Sequence, residues 1–334
     1  MNALLHADPL GAAISPVALL LIGLAAIAYL RGLRQLHLVG EPVRAVRHAL
    51  FVAGLLSLAV ALDAPIAPAA ARLFTLHQVQ HLLVRLIGPL LIVIAYPWPV
   101  LRAGLPSGLR RWLIIVGRRP MVARLAGLCT TLPMALGLLV AALYIWQLPA
   151  VHNAALDKPL FLILAHVGMI LAGLNFFAVV LDRRDAPEGP PQAGRILLLF
   201  CAIISNILLG SLTTLKEVVL YPAYDVTGRL YGWSAMTDET LGGYIIWVPS
   251  SLIMLAAIMI AFMGWNRAEE RRWAMRYSLR SGSNSAALEF PETAEELWMK
   301  VEQPNRRMGQ TLGLAAFSMF AVVLITAICV VTLM

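Results

Sequence analysis

Apolar residues run along this chain in blocks of about twenty, parted by short polar stretches in which arginine recurs. The blocks fall near residues 14–30, 46–62, 75–96, 125–146, 160–181, 195–215, 242–264 and 311–333. A helix rises about 1.5 Å per residue and bilayer hydrocarbon is about 30 Å thick, so about 20 apolar residues make one crossing. The two-residue alternation of a barrel strand is missing, and barrel segments would be about half as long. A helix also satisfies its own backbone in lipid, where no water can. The pattern therefore predicts an all-α fold, a polytopic membrane helical bundle of about eight transmembrane helices.

Composition agrees: 60% of the 334 residues are hydrophobic and 13% are charged, a balance that excludes a water-soluble domain of this size. The net charge of +8 reads as topology because of where it sits. Of 26 basic residues, 21 lie in the stretches 31–47, 97–124, 183–195 and 265–310, and four (Arg72, Lys158, Lys216, Arg229) lie in the stretches between. Positive charge collects on the cytoplasmic side, so both termini are expected outside. No Lys or Arg precedes the first apolar block, which argues against a cleaved signal peptide. Residues 1–265 read as a seven-span membrane core, 266–310 as a basic then acidic cytoplasmic connection, and 311–334 as an additional C-terminal transmembrane helix. Trp265, Arg267, Arg271, Arg272, Trp273 and Arg276 suit a surface against anionic lipid, or else an ordinary solvated connection. Cys129, Cys201 and Cys329 are scattered over three blocks and form no thiolate metal pattern.

Ionisable groups within a bilayer are costly, so those that remain are candidates for function. His77, His81 and Arg85 recur every four residues in the third block and share one helical face. His81 lies about 24 Å, and His166 about 22 Å, from the cytoplasmic ends of their helices at the helical rise, which places them at one depth. His152 falls in the loop joining the fourth and fifth blocks. Two imidazoles a turn apart and a third on a facing helix can hold one metal ion, and copper suits imidazole in both oxidation states. Met169, three residues after His166, offers a soft thioether, although most of the 13 methionines must be packing residues. Histidines that merely hydrogen-bond to neighbouring helices are the plainer alternative. Arg85 requires a counter-charge, a polar pocket or a route for its head to the interface. Asp63, Glu217 or a bound anion such as a haem propionate are its candidate partners, and Asn175 and Asn206 read as bridges between helices. No phosphate loop, nucleophile elbow or paired carboxylates occur within a span, so catalysis is not expected.

Four blocks together resemble the multi-spanning CtaG-type assembly factors of caa-branch cytochrome c oxidase. They are His77-Gln-Val-Gln-His81 with Gly88-Pro89; Tyr144-Ile-Trp146 through His152 to the His166 helix; Asn206-Ile-Leu-Leu-Gly210 with Leu220-Tyr-Pro-Ala-Tyr224; and Leu241-Gly-Gly with Trp247-Val-Pro249. The resemblance implies a multi-pass protein of the bacterial inner (cytoplasmic) membrane that assists maturation of a haem-copper oxidase, with copper as cargo. Its partners would be the oxidase core subunit and lipid, not nucleic acid. His77, His81 and His166 match the family's histidine positions, whereas Gln78 and Leu82 stand where methionines are associated with its first histidine block. Two rivals stand beside this reading. One is a haem b-binding electron-transfer subunit with Arg85 near a propionate; the other is a metal-free accessory subunit of a respiratory complex.

Overall fold

A computed structural model describes residues 11–38, 43–63, 65–184, 188–280 and part of 306–321. Residues 281–305 of the expected cytoplasmic connection lie outside the described residues, as does most of the eighth span. The described residues form helices and no strand. The chain divides into two compact units, Met1–Ala261 and Phe262–Met334.

In the first unit α1 (Gly11–Leu38), α2 (Ala45–Leu62) and the short α3 (Ile66–Ala70) precede the central helix, which has three parts. These are α4 (Phe74–Leu82), a π-helical turn (Leu83–Ile87) and α5 (Gly88–Ala95). Short helices α6 (Trp98–Gly104), α7 (Ser107–Gly117) and α8 (Pro120–Cys129) follow, then α9 (Leu132–Tyr144), α10 (Pro149–Asp157) and α11 (Pro159–Val180). The remaining helices are α12 (Gln192–Leu215), α13 (Ala223–Thr227) and α14 (Ala235–Arg280), the last beginning in this unit. In the second unit the Phe262 and Trp265 rings lie 6.2 Å apart and the Asn266 amide donates to Glu270.

Among the described residues, six helices are long and apolar enough to cross a membrane. A seventh crossing requires counting α8 and α9 as one, and these are bent by 77°. The expected straight span over 125–146 is thus broken. Pro133 stands at the start of α9, where a missing N–H is tolerated but an unbroken helix is not. The hydroxyls of Thr130 and Thr131 donate to the carbonyls of Ala126 and Leu128, which also accept the backbone N–H groups of the same two threonines and so close the end of α8. Cys129 and Cys201 are half-buried.

The Phe74–Ala95 helix is the most deeply buried of the candidate spans, with α2, α9 and α11 packed about it and its neighbours. Its π turn follows from Pro89, which has no N–H for the Arg85 carbonyl; the Gly88 N–H reaches back five residues to the Leu83 carbonyl. Helix α11 closes on the freed carbonyl through Gly173, where a Cβ would overlap the Arg85 oxygen and crowd Pro89 at 2.9 Å. Gly173→Ala is accordingly expected to cost about 1–3 kcal/mol, because backbone rather than a flexible side chain must move. Thermal unfolding of the purified protein reads this as a lowered midpoint; an unshifted one would mean that the two helices have room to part.

Helices α12 and α14 pack antiparallel. A Cβ on Gly243 would strike Thr214 and one on Gly210 would strike Trp247, which fixes the register of their contact. The two ends of the first unit differ in charge. At one end Arg47 donates to the carbonyls of Ala95 and Tyr96, Arg183 lies 4.0 Å over the Tyr96 ring, and Arg195 donates to the carbonyls of Pro190 and Arg184. The histidines gather toward the other.

Candidate metal centre

The N-terminus of α4 determines where the first two histidines point. Leu73 is extended, and the first N–H groups of α4 have no partner within the helix. Asp238 of α14 supplies one: its carboxylate accepts the N–H groups of Phe74 and Thr75, each at 2.9 Å, while Thr75 Oγ1 donates to the Asp238 carbonyl. Gln80 Nε2 donates to the Ala61 carbonyl at 2.7 Å on one flank. On another, Gln78 and Gln147 exchange amide hydrogen bonds, of which Gln78 Nε2 to Gln147 Oε1 is 3.3 Å. These ties prevent rotation of α4 and leave His77 and His81 inside.

The four candidate histidines converge, each at most 5% exposed. His77 Nε2 and His81 Nε2 are 2.9 Å apart, so one ring donates a proton to the other. The His77 ring centre is 4.7 Å from that of His152, and the His81 centre is 6.0 Å from that of His166. His77 Nδ1, His81 Nδ1 and His166 Nε2 are buried without a hydrogen bond, although the Ala70 carbonyl lies beside the His77 ring. His152 differs from the others because both its nitrogens are engaged. A carbonyl can only accept, so Nδ1 donates to Trp146 O at 2.9 Å and Nε2 accepts the Tyr224 hydroxyl at 2.8 Å. Burial pushes its pKa down to about 4 and that of Tyr224 up, which keeps both groups neutral at pH 7.

Among the described residues, no three His, Cys, Asp or Glu side chains stand ready to hold a metal ion as placed. The His77–His81 pair nonetheless has suitable dimensions. Two imidazole nitrogens about 2.0–2.1 Å from one ion, at a tetrahedral angle, lie about 3.3 Å apart. An ion replacing the shared proton requires only a small parting of the rings, with His166 moving in from behind. Met169 is fully buried within an apolar cluster that includes Val84, Ile92 and Ala172. Its thioether is placed as packing.

Arg85 is 3% exposed, so its head does not reach the interface. Its partner is neither Asp63 nor Glu217: Nη2 donates to Asn206 Oδ1 at 2.9 Å. The expected bridges of Asn206 and Asn175 both form, the latter from Nδ2 to the Cys129 carbonyl at 2.9 Å.

Sequence reasoning missed the polar plate beyond the histidines. Lys216 pairs with Glu239, both side chains having no exposure, and Glu239 also accepts the N–H groups of Leu220 and Tyr221 at 3.0 Å. Arg229 bonds Asp238 and Asp225 and lies 3.6 Å from Glu239. Tyr221 donates to the Gln147 carbonyl at 2.7 Å and stacks on Phe74 at 4.3 Å. The Tyr221-Pro-Ala-Tyr224 spacing was the available signal for the two tyrosines.

A family model described as cytochrome c oxidase caa3 assembly factor (Caa3_CtaG) matches residues 27–268, which include every one of these residues. The chain belongs to that family. Membership makes it one of a family of cytochrome c oxidase assembly factors and agrees with a multi-helix membrane protein. Among curated relatives, uncharacterized proteins of Mycobacterium bovis and Mycobacterium tuberculosis are each 24% identical over 269 residues, covering 78% of this chain and 40% of theirs. An uncharacterized protein of Mycobacterium leprae is 22% identical over 253 residues, covering 73% of this chain and 38% of its own. The chain thus spans about 40% of the length of these relatives. No solved structure matches it.

Proposed function

We propose that this protein of the bacterial cytoplasmic membrane takes copper between His77, His81 and His166 and passes it laterally to the core subunit of a haem-copper oxidase. The observation that carries the reading is the 2.9 Å approach of two buried imidazole nitrogens, with a third imidazole behind them and ring nitrogens that lack partners. His77 and His81 take the ion first, by exchange for their shared proton. His166 completes the set from α11. His152 walls the site and positions His77, since its own nitrogens are held by Trp146 and Tyr224. Transfer by ligand exchange suits a donor within the bilayer, because the histidines and the acceptor centre would then share a depth.

Metal analysis of the purified chain beside a His77/His81/His166 alanine series tests the proposal. About one copper per chain in the wild type is expected, with loss in each variant and a parallel loss of mature oxidase in cells. A Soret band with stoichiometric iron would replace copper delivery by electron transfer. Oxidase assembly that survives His81→Ala, without copper in the wild type, would leave a metal-free accessory subunit.

A further inference from the structure

Between Asp63 and Asp157 the chain carries no acidic residue, and five arginines of that interval fall close together: Arg110, Arg111, Arg118, Arg119 and Arg124. They stand on α7, on α8 and at the turn between them. All five are exposed, and none forms an ion pair with a carboxylate among the described residues. At the turn Arg119 is the N-cap of α8 but lends it no side-chain cap, so the start of that helix is open to an acceptor from outside.

Neither α7 nor α8 buries a residue. Leu109, Trp112 and Leu113 share one face of α7, and Met121, Leu125 and Leu128 share one face of α8. Each of these six side chains is 43–75% exposed. Isolated helices this short are marginal in water, so the two faces need a cover. Water would leave the apolar side chains bare, and hydrocarbon would leave the guanidinium groups without a polar partner. The boundary between the two satisfies both, with arginine stems along the hydrocarbon and their heads among phosphates.

The direction of α8 agrees. It bends 77° from α9 at Thr130 and Thr131, where Asn175 of α11 holds the Cys129 carbonyl at 2.9 Å. Leu132, at the start of α9, and Leu181, just past the end of α11, pack against the same apolar cluster. With α9 upright in a bilayer, α8 therefore runs along the membrane plane, at the end of the bundle where Arg47 and Arg183 flank the Tyr96 ring.

We propose that α7 and α8 form an interfacial pair that docks on anionic phospholipid of the leaflet at this end, with phosphates against the arginines and the Trp112 and Leu125 faces at the acyl boundary. An acidic protein surface would answer the charge alone; a bilayer answers the charge and the apolar faces together. The surface uses none of the histidines and does not depend on metal.

Trp112 reports the contact. The full chain is placed in phosphatidylcholine vesicles in which a minor fraction of either phosphatidylglycerol or phosphatidylcholine has brominated acyl chains, and the fluorescence lost by the wild type is compared with that lost by Trp112→Phe. Both lipids should quench Trp112, phosphatidylglycerol with about tenfold the apparent association. That preference should fall to near parity at high salt and in Arg110→Gln/Arg111→Gln/Arg118→Gln/Arg119→Gln, and survive when the same four positions carry lysine. Arg31→Gln/Arg34→Gln, which removes exposed charge from α1 instead, should leave it unchanged. Trp112 untouched by either brominated lipid, as when a soluble partner or another segment of the chain covers α7, would overturn the proposal. Equal quenching by the two lipids in the wild type, or a preference that the four glutamines do not alter, would do the same.

Discussion

Asp238→Ala is expected to destabilise the protein by about 3–5 kcal/mol and, on the copper reading, to lower copper retention without touching a single imidazole. The carboxylate has no exposure, accepts two backbone N–H groups of α4 and pairs with Arg229. Removing it strands the Phe74 and Thr75 N–H groups in the interior and deprives a buried cation of a partner, the circumstance in which truncating one side of an ion pair costs most. His77 and His81 stand one and two turns along from the freed helix end, so fraying there reaches them directly. Asp238→Asn keeps one acceptor oxygen and should fall between. Chemical unfolding of the three proteins gives the energies, and metal analysis of the folded fraction gives the second effect. A wild-type midpoint for Asp238→Ala would mean that α4 is held by packing alone, and copper retained in full would detach the cap from the site.

The parts of the site legible in the sequence were those written in one helix. His77 and His81 recur at helical spacing, and counting residues from helix ends placed His166 at their level; the rings do meet there. What escaped notice was held by contacts between distant segments. Asp238 and Glu239 precede the apolar block at 242 and read as loop residues, yet they are buried because they cap backbone 164 and 18 positions away. The Gln78–Gln147 pair joins residues 69 apart, and neither glutamine is unusual by itself. The bend at Thr130 was visible as Thr-Thr-Leu-Pro, but an average over twenty apolar residues conceals one proline. Arg85 was noticed as an anomaly, and only its burial decides that it stays inside with Asn206 instead of reaching for the interface.

The Lys216–Glu239 pair gives the second large expectation, which takes the form of a cycle. Glu239→Ala should cost about 3–5 kcal/mol, since it leaves a fully buried ammonium and removes the acceptor of the Leu220 and Tyr221 N–H groups. Lys216→Met should cost less, about 1–3 kcal/mol, because Glu239 keeps both N–H donors and Arg229 at 3.6 Å. Combining Lys216→Met with Glu239→Gln removes both charges while keeping an acceptor for one backbone N–H. It should therefore be more stable than Glu239→Ala alone, since a neutral buried pair escapes the desolvation that an isolated charge suffers. Unfolding free energies of the wild type, Lys216→Met, Glu239→Gln and their combination yield the coupling energy. Simple additivity would show that lysine and glutamate act independently. Tyr221 and Tyr224 would then owe their places to their own hydrogen bonds to Gln147 and His152, rather than to the ion pair beside them.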